Sequence, residues 1–210
     1  MSAKGLLVMD VDSTLIEEEV IDLLGEKVGL GQKISEITAA AMRGELDFKE
    51  ALKERVALLS GLSTSIFDEV YEEVHPTKGA RELIELLHER GWKVGVVSGG
   101  FHEIVDKLAK DLKLDYVFAN HLAVENGQLT GETYGTIVDK AFKLERMKQW
   151  AKENSLDLSE VVAVGDGAND IPMLNAAGLG IAFCAKPAVK SAVSYHIDER
   201  NLLTVLDFID

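Results

Sequence analysis

The sequence predicts an α/β protein, a Rossmann-like parallel sheet core with an inserted helical-bundle cap. Two features of the 210-residue chain predict this fold class. From residue 76 onward, short apolar runs alternate with stretches of helical periodicity, the order that builds a parallel sheet with helices on both faces. Between the first apolar run, Leu6–Met9, and Pro76, the periodicity is helical, so this segment is expected to be inserted after the first strand.

The insertion is expected to hold four helices within residues 15–75 and to form the cap. Asp47 is a candidate N-cap of the third helix, and Ser63 or Thr64 of the fourth. Residues 1–14 and 76–210 are expected to form the core. The apolar spacings that predict the four helices are Leu15/Val20/Leu23/Leu24, Ile34/Ile37/Ala41, Phe48/Leu52/Val56/Leu59 and Ile66/Val70/Val74.

The elements of the core are predicted from the same kinds of pattern. Asn126-Gly127, which lies between apolar-polar stretches, indicates a small β-hairpin near residues 121–135. The expected strands are Gly5–Asp10, Lys93–Ser98, Tyr116–Ala119, Val161–Gly165 and Leu179–Phe183, and the expected helices are Gly79–Arg90, Phe101–Leu112, Ala141–Asn154, Ile171–Ala177, Pro187–Ala192 and Leu202–Ile209.

The composition is that of a globular protein and argues against several classes. No apolar stretch approaches the roughly 20 residues of a membrane span. The formal net charge of −14 argues against nucleic acid as a partner, because binding to a phosphate backbone depends on clustered lysine and arginine. The single cysteine, Cys184, and an N-terminus without the layout of a signal peptide predict a cytoplasmic protein. The sequence does not predict an oligomeric state.

Paired acidic residues follow two of the predicted strands. Asp10 and Asp12 come directly after the first apolar run. Asp166 and Asp170 follow the strand Val161–Gly165. Two like charges so close together raise each other's pKa unless a cation lies between them. Because the carboxyl ends of parallel strands meet at one edge of a sheet, the pattern predicts a divalent metal site for phosphoryl transfer, with one carboxylate free to attack an electrophile.

A third predicted strand ends in Ser98-Gly99-Gly100. Ser98 could simply cap the helix that follows, because serine favours that position. A serine hydroxyl and glycine N–H groups at a helix N-terminus can also bind phosphate, and the two roles are compatible. The coincidence of Asp10, Ser98 and Asp166 at three strand ends favours a functional site.

These motifs resemble, in order, the four motifs of the haloacid dehalogenase superfamily. The likeness covers nearly the whole chain. The presence of Glu19 makes the likeness more specific than membership of the superfamily alone. The residues that carry it are Asp10-Val11-Asp12-Ser13-Thr14, Ser98-Gly99-Gly100-Phe101, a downstream lysine and Gly165-Asp166-Gly167-Ala168-Asn169-Asp170.

The resemblance implies a role for each acidic residue. Asp10 would be the nucleophile, forming an aspartyl-phosphate that water then hydrolyses. Asp12 would act as general acid for the leaving oxygen and then as the base that activates water. Mg²⁺ would be held by Asp10, the backbone carbonyl of Asp12 and Asp166, with Asp170 supporting the site from behind or through water.

The resemblance also implies that Ser98, Gly99 and a lysine bind the phosphoryl oxygens, with Asn169 assigned to substrate binding. Lys140 and Lys143 both lie near the start of a predicted helix. Counting back from the fourth motif without a gap places the family lysine at Lys143. Lys140 remains an alternative, and its other possible role is that of a solvated residue near the helix start.

Two charged cap residues indicate what the substrate carries beside its phosphate. On a wheel of the first cap helix, Glu19 falls on the apolar side, where an unpaired carboxylate is costly. It could be neutralised by a lysine or arginine of the cap, or it could receive a substrate ammonium group. Arg55 shares a face with Phe48 and Leu52 and suits capture of a carboxylate, although it could instead pair with Glu19 or pack on the cap surface. The resemblance implies that these two charges bind the amino-acid end of the substrate, with Met42 and Phe48 lining it.

The function implied by the closest likeness is Mg²⁺-dependent hydrolysis of O-phospho-L-serine to L-serine and inorganic phosphate, the last step of phosphorylated serine biosynthesis, under a mobile cap. The expected partner is therefore a small molecule. A related phosphomonoesterase or a phosphotransferase is an alternative. A phospho-accepting signalling domain is a non-enzymatic alternative, which the cap insertion and the acceptor on the first strand argue against.

Overall fold

The computed structural model describes residues 3–209, apart from the side chain of Met42. A mostly parallel sheet lies at its centre and confirms the predicted α/β fold. Its strands are β1 (Leu6–Met9), β2 (Lys93–Phe101), β3 (Tyr116–Glu125), β4 (Gln128–Tyr134), β5 (Val161–Gly165), β6 (Leu179–Phe183) and β7 (Tyr195–Ile197).

The strand order is β4-β3-β2-β1-β5-β6-β7, and the β3–β4 pair is the antiparallel hairpin. Strand β1 lies between β2 and β5 and is parallel to both. The carboxyl ends of these three strands therefore meet at one edge of the sheet, which is where ligands bind in such folds.

Helices cover the sheet and fill the segment after β1. All of them lie within the described residues, and none is long and apolar enough to cross a membrane. The helices are α1 (Val20–Lys27), α2 (Gly31–Met42), α3 (Phe48–Ala57), α4 (Ile66–Glu72), α5 (Ala80–Glu89), α6 (His102–Leu112), α7 (Lys140–Glu153), α8 (Ile171–Ala176) and α9 (Pro187–Ala192).

The two faces of β1 pack into two different apolar clusters. Leu7 faces a cluster that also contains Leu24 of α1 and Leu52 of α3, so the inserted helices share a core with the sheet. Leu6 faces the opposite cluster, beside Trp150 of α7. Burial of both faces is what a central parallel strand requires, and it accounts for the unbroken apolar sequence of β1.

The segment that connects α3 to α4 is hydrogen-bonded to the hairpin of the sheet. The N–H of Gly61 donates to the carbonyl of Leu129 at 2.8 Å, and the N–H of Leu129 donates to the carbonyl of Leu62 at 2.8 Å. The N–H of Thr64 donates to the carbonyl of Gly127 at 3.0 Å. The chain between α3 and α4 is therefore fastened to β3–β4. The division into a core of residues 1–14 and 76–210 and a cap of residues 15–75 stays a prediction.

Some predicted boundaries were wrong. The first helix begins at Val20 rather than at Leu15, because residues 11–15 form a turn in which Ser13 has a left-handed φ of 57°. Asp47 is confirmed as the N-cap of α3, where its side chain accepts from two backbone N–H groups. The N-cap of α4 is Ser65, not Ser63 or Thr64.

Several strands are longer than expected or were not expected at all. Strand β3 continues past Ala119 into the hairpin, and β2 continues past Ser98 to Phe101. Strand β7 was missed because Tyr195 and His196 are exposed, which leaves Ile197 as its one buried residue and gives no apolar run. The segment Leu202–Phe208 is a 3₁₀-helix rather than an α-helix.

Candidate active site

A cavity of about 400 Å³ lies between the carboxyl edge of the sheet and the inserted helices. Its floor comes from the ends of β1, β2 and β5, and its roof from α1–α3. The sequence-predicted site residues that line it are Asp10, Asp12, Glu19, Phe48, Arg55, Gly99 and Asn169. The other predicted residues are buried and are not among those that line the cavity: Ser98, Lys143, Asp166 and Asp170. The predicted contact of Met42 lies outside the described residues.

The turn after β1 brings Asp10 and Asp12 to the same cavity. The strand itself ends at Met9, one residue before its expected end at Asp10. Asp12 instead lies in the turn, where its Oδ1 accepts from the Val20 N–H at 3.3 Å. The N–H of Val11 donates to Asp10 Oδ1 at 2.8 Å. Both carboxylates are thus oriented by backbone N–H groups.

The carboxylates of Asp10, Asp166 and Asp170 offer oxygen atoms that all lie within 4.8 Å of one another, and the three residues are buried. This grouping differs from the predicted ligand set of Asp10, Asp12 and Asp166, because the Asp12 carboxylate lies outside it. Its predicted ligand atom is the backbone carbonyl.

Asp170 holds Lys143 and the backbone that follows β5 through hydrogen bonds. Its Oδ1 accepts from Lys143 Nζ at 2.7 Å, and its Oδ2 accepts from the N–H groups of Asp166 at 3.1 Å and Gly167 at 3.0 Å. Both oxygens are therefore engaged in holding the turn after β5. Asp166 is oriented from the other side, since Thr14 Oγ1 donates to its Oδ1 at 3.1 Å.

Crowding of buried carboxylates raises their pKa values. Burial, followed by the charge of Asp170, raises the pKa of Asp10 to about 6. Burial, followed by the charge of Asp10, raises the pKa of Asp12 to about 7. Burial and the charge of Asp10 raise the pKa of Asp166 well above its ordinary value. Lys143 alone does not offset this negative charge, so the donor set fits a divalent cation with oxygen ligands.

Lys143 is completely buried, and its charge is held by two acids. Its Nζ lies 2.9 Å from Asp10 Oδ1 and 2.7 Å from Asp170 Oδ1. Burial alone would lower the pKa of Lys143, but the two carboxylates raise it above its ordinary value. Lys140 is exposed at the cavity mouth. The geometry therefore favours Lys143 over Lys140 as the lysine beside Asp10.

The glycines after Ser98 permit two close approaches. A Cβ on Gly99 would lie 2.8 Å from the ring of Phe48, and a Cβ on Gly100 would lie 2.9 Å from Asp12 Oδ2. The Gly100 N–H donates to Ser98 Oγ at 2.8 Å. Ser98 does not cap the next helix, because β2 runs on and Phe101 is the N-cap of α6.

Glu19 reaches the cavity from the start of α1 rather than from its apolar stripe. It is the N-cap residue, without a side-chain cap bond, and Ser13 Oγ donates to its Oε1 at 2.7 Å. Burial and then the charge of Asp12 raise its pKa well above the ordinary value. Among the described residues, no lysine or arginine forms an ion pair with it.

Arg55 lies on the cavity-facing side of α3, 6% exposed. Its Nε donates to the carbonyl of Ala51 at 3.1 Å, and its Nη1 donates to Thr38 Oγ1 at 2.8 Å. It pairs with neither Glu19 nor any other carboxylate in the described part of the chain. The cavity thus holds a guanidinium and a carboxyl group that form no ion pair with each other.

Thr38, Lys49 and Asp139 are polar residues of the cavity wall that were not predicted as site residues. Thr38 lies on α2 and bonds to Arg55. Lys49 of α3 forms an ion pair with Asp139, the N-cap of α7, at 2.8 Å across the cavity mouth. An aspartate just before a helix signals a cap, but no local sequence pattern reveals contacts between distant elements.

With this fold and site, the chain belongs to the haloacid dehalogenase-like hydrolase family, which it matches over residues 7–175. The resemblance drawn from the motifs is confirmed. Among its relatives are phosphoserine phosphatases. That of Lactococcus lactis subsp. lactis (strain IL1403) is 80% identical over 210 residues, covering 100% of this chain and 97% of the relative. That of Streptococcus thermophilus (strain ATCC BAA-250 / LMG 18311) is 60% identical over 207 residues, covering 99% and 96%.

Solved structures lead to the same group of proteins. A substrate-bound phosphoserine phosphatase complex has a TM-score of 0.96 and 41% identity, covering 100% of each chain. A phospho-aspartyl intermediate analogue of phosphoserine phosphatase has a TM-score of 0.96 and 42% identity, covering 99% of this chain and 100% of the other.

Proposed function

We propose that this chain is a Mg²⁺-dependent phosphoserine phosphatase that hydrolyses O-phospho-L-serine to L-serine and inorganic phosphate. The observation that carries the proposal is a single cavity that joins a buried carboxylate and lysine floor to Glu19 and Arg55 in its roof. A phosphate fits the floor, and an amino acid with one ammonium and one carboxylate fits the roof. The names of relatives up to 80% identical support the same substrate.

Asp10 is the nucleophile in this proposal. Its Oδ1 is engaged by the Val11 N–H and by Lys143 Nζ, whereas Oδ2 has no hydrogen-bond partner among residues 3–209 and can attack phosphorus. The attack forms an aspartyl-phosphate and breaks the ester bond between phosphorus and the serine oxygen. Water then attacks the same phosphorus, releasing phosphate and restoring the carboxylate.

Asp12 moves the protons in both steps. As general acid it donates its proton to the departing serine oxygen, and as general base it then takes a proton from the attacking water. In the metal-free protein, burial and then the charge of Asp10 raise the pKa of Asp12 to about 7, and this environment favours the protonated carboxyl group that the first step needs. The hydrogen bond that Asp12 accepts from the Val20 N–H keeps its carboxyl group oriented through both steps.

Mg²⁺ would be held by the carboxylates of Asp10 and Asp166 together with the backbone carbonyl of Asp12. When bound, it would supply positive charge against the phosphoryl oxygens and between the crowded acids. Asp170 and Thr14 keep Asp166 in place through the bonds described above.

The phosphoryl oxygens are bound by Lys143, by the hydroxyl of Ser98 and by the N–H of Gly99. These groups donate to the oxygens as negative charge shifts during transfer, and the side chains of Ser98 and Lys143 are already held in place by burial. Asn169, at the cavity wall beside Gly99, donates to the substrate from the other side.

The amino-acid end of the substrate is recognised by the roof. Glu19 accepts from the substrate ammonium, and Arg55 donates to its carboxylate, while Phe48 covers the carbon chain. The ammonium would neutralise a carboxylate whose pKa is raised mainly by burial, so binding and ionisation of Glu19 support each other. With this substrate, the reaction would be the last step of phosphorylated serine biosynthesis.

Phosphate release from a panel of esters tests the substrate. The panel contains O-phospho-L-serine, phosphothreonine, phosphoethanolamine, phosphoglycolate and 4-nitrophenyl phosphate, each assayed with Mg²⁺ and with a chelator. We expect the highest kcat/KM for phosphoserine and loss of all turnover with the chelator. A higher kcat/KM for any other ester would refute phosphoserine as the preferred substrate, and full activity with the chelator would refute the requirement for a metal ion.

A further inference from the structure

Thr38 is a polar residue in the wall of the substrate cavity. It lies on α2, is 4% exposed and lines the cavity together with Arg55. A buried hydroxyl needs hydrogen-bond partners, and this one has them on both sides. The guanidinium of Arg55 donates to Thr38 Oγ1 at 2.8 Å through Nη1.

Behind Thr38 lies the carboxylate of Asp22, on α1. Thr38 Oγ1 lies 3.1 Å from Asp22 Oδ1 and 3.0 Å from the carbonyl oxygen of Ile34, and its single proton can serve either acceptor. The carboxylate is the stronger acceptor because it is charged. A chain of hydrogen bonds therefore runs from Asp22 through Thr38 to Arg55.

This chain fixes the plane of the guanidinium. Nε of Arg55 is bonded to the carbonyl of Ala51 and Nη1 to Thr38, so two nitrogens of one rigid planar group are held. Nη2 has no partner among the described residues. An arginine can form two parallel hydrogen bonds to a carboxylate only when its planar guanidinium is correctly oriented.

We propose that Thr38 is a positioning residue that sets the specificity for esters carrying a carboxylate, by holding the Arg55 guanidinium through the chain Asp22–Thr38–Arg55. This inference rests on the proposed function, in which Arg55 binds the substrate carboxylate. A purely structural threonine would instead serve only the carbonyl of Ile34, one turn earlier in its own helix. The two roles give different kinetics.

The first test compares Thr38→Val, which removes the hydroxyl, with Thr38→Ser, which keeps it. Thr38→Val is expected to raise KM for phosphoserine about tenfold with kcat changed less than about twofold, because the lost bond acts on binding rather than on phosphoryl transfer. KM for phosphoethanolamine, which has no carboxylate, should change less than about twofold. Thr38→Ser should restore the values for phosphoserine.

The second test is a double-mutant cycle with Arg55→Ala. If Thr38 acts through Arg55, Thr38→Val adds nothing to the KM of the Arg55→Ala variant. Thr64→Val is the matched control, since Thr64 lies in the same inserted segment but does not line the cavity. Circular dichroism with thermal unfolding checks that each variant is folded.

Three results would overturn the inference: an unchanged KM for phosphoserine in Thr38→Val, an equal rise in KM for both esters, or a full additional effect of Thr38→Val in the Arg55→Ala background. If Thr38→Val does not fold, Asp22→Ala decides, because it removes the carboxylate acceptor behind Thr38 while leaving Thr38 and Arg55 unchanged. A rise in KM for phosphoserine alone then supports the chain, and an unchanged KM overturns it. Failure of the proposed function is a separate result, seen as wild-type protein without preference for phosphoserine.

Discussion

Lys143 is important for its burial, for its charge and for its position beside Asp10. It is completely buried, it balances part of the charge of Asp10 and Asp170, and its Nζ lies 2.9 Å from the oxygen atom that would otherwise repel an incoming phosphate. Removing one partner from a buried ion pair typically costs about 3–5 kcal/mol of stability. Lys143 is thus expected to serve folding as well as catalysis, whereas the exposed Lys140 serves neither in this way.

Replacement of each lysine by methionine separates the two candidates. We expect Lys143→Met to lower kcat/KM for phosphoserine by about 10²–10³, since one preorganised charge beside the transferring group is lost. Lys140→Met should retain activity within about threefold, because loss of an exposed charge in the screened cavity mouth is a small effect. Steady-state phosphate release, after a check of folding, measures both. A larger loss in Lys140→Met would reverse the assignment.

At the scale of single residues, the sequence predicts what short motifs and strand ends encode. Asp10 and Asp166 were predicted from their places after apolar runs, and Lys143 by counting back from the fourth motif of the family that the chain resembles. Thr38 and Lys49 were not, because their partners come from other helices and no local pattern records such a contact. Their importance becomes visible only when the elements are packed together.

Contact between α3 and the hairpin β3–β4 fastens the roof of the cavity to the sheet. Gly131 of β4 has a φ of 87°, and a Cβ there would lie 3.0 Å from Ser60 Cβ and 3.3 Å from the Ala57 carbonyl oxygen. Gly135, after β4, has a similar φ of 78°, but a Cβ there would meet nothing within 4 Å. The two glycines therefore share a backbone requirement and differ in packing.

Alanine at each position separates the backbone effect from the packing effect. Gly135→Ala should lower the free energy of unfolding by about 1 kcal/mol, the usual penalty for a left-handed non-glycine residue. Gly131→Ala should lower it further, because the backbone of Ala57 must also move. Denaturant unfolding of both variants gives the comparison. Equal losses of unfolding free energy would mean that the hairpin can shift away from α3 at this point without a measurable cost.

At the scale of elements, the sequence predicts the sheet strands that are buried on both faces, such as β1 and β5, because each is an unbroken apolar run. It fails where periodicity continues past the end of an element. Leu15 continues the apolar spacing of α1, yet it lies in the turn, which the left-handed Ser13 keeps out of the helix. The prediction fails for strand β7 for the opposite reason, since this strand lacks an apolar run.

The whole molecule carries an excess of negative charge, both on its surface and in its buried site. In the metal-free protein, the pKa values of Asp10 and Asp12 are raised to about 6 and about 7, mainly by burial and then by neighbouring acids. The native state therefore holds more protons than the unfolded chain at neutral pH. Groups with raised pKa stabilise the fold below their unfolded pKa and lose that contribution as pH rises through the folded value.

The expected consequence is that the metal-free protein becomes more stable as pH falls from 8 to 5. The slope is about 1.4 kcal/mol per pH unit for each additional proton that the native state holds. Mg²⁺ should raise the melting temperature most at pH 8, where the acids are ionised, and least at pH 5. Thermal unfolding with and without Mg²⁺ measures both trends.

Asp166→Asn serves as the control for the pH effect, because it removes one crowded carboxylate and should flatten the slope. Asp115, whose pKa burial would raise but bonds from Lys93 and neighbours lower, responds only in more acidic solution and does not oppose the trend. Stability that rises with pH over this interval, or a Mg²⁺ effect that is larger at pH 5, would contradict this description of the site.

The most direct test of the whole account is phosphate release from O-phospho-L-serine by Asp10→Asn beside the wild-type protein, with saturating Mg²⁺. Asparagine keeps the shape of the side chain but removes the oxygen nucleophile, so we expect kcat to fall by at least about 10³ while the fold is retained. A rate within tenfold of wild type would contradict the account, because phosphoryl transfer would then not pass through Asp10.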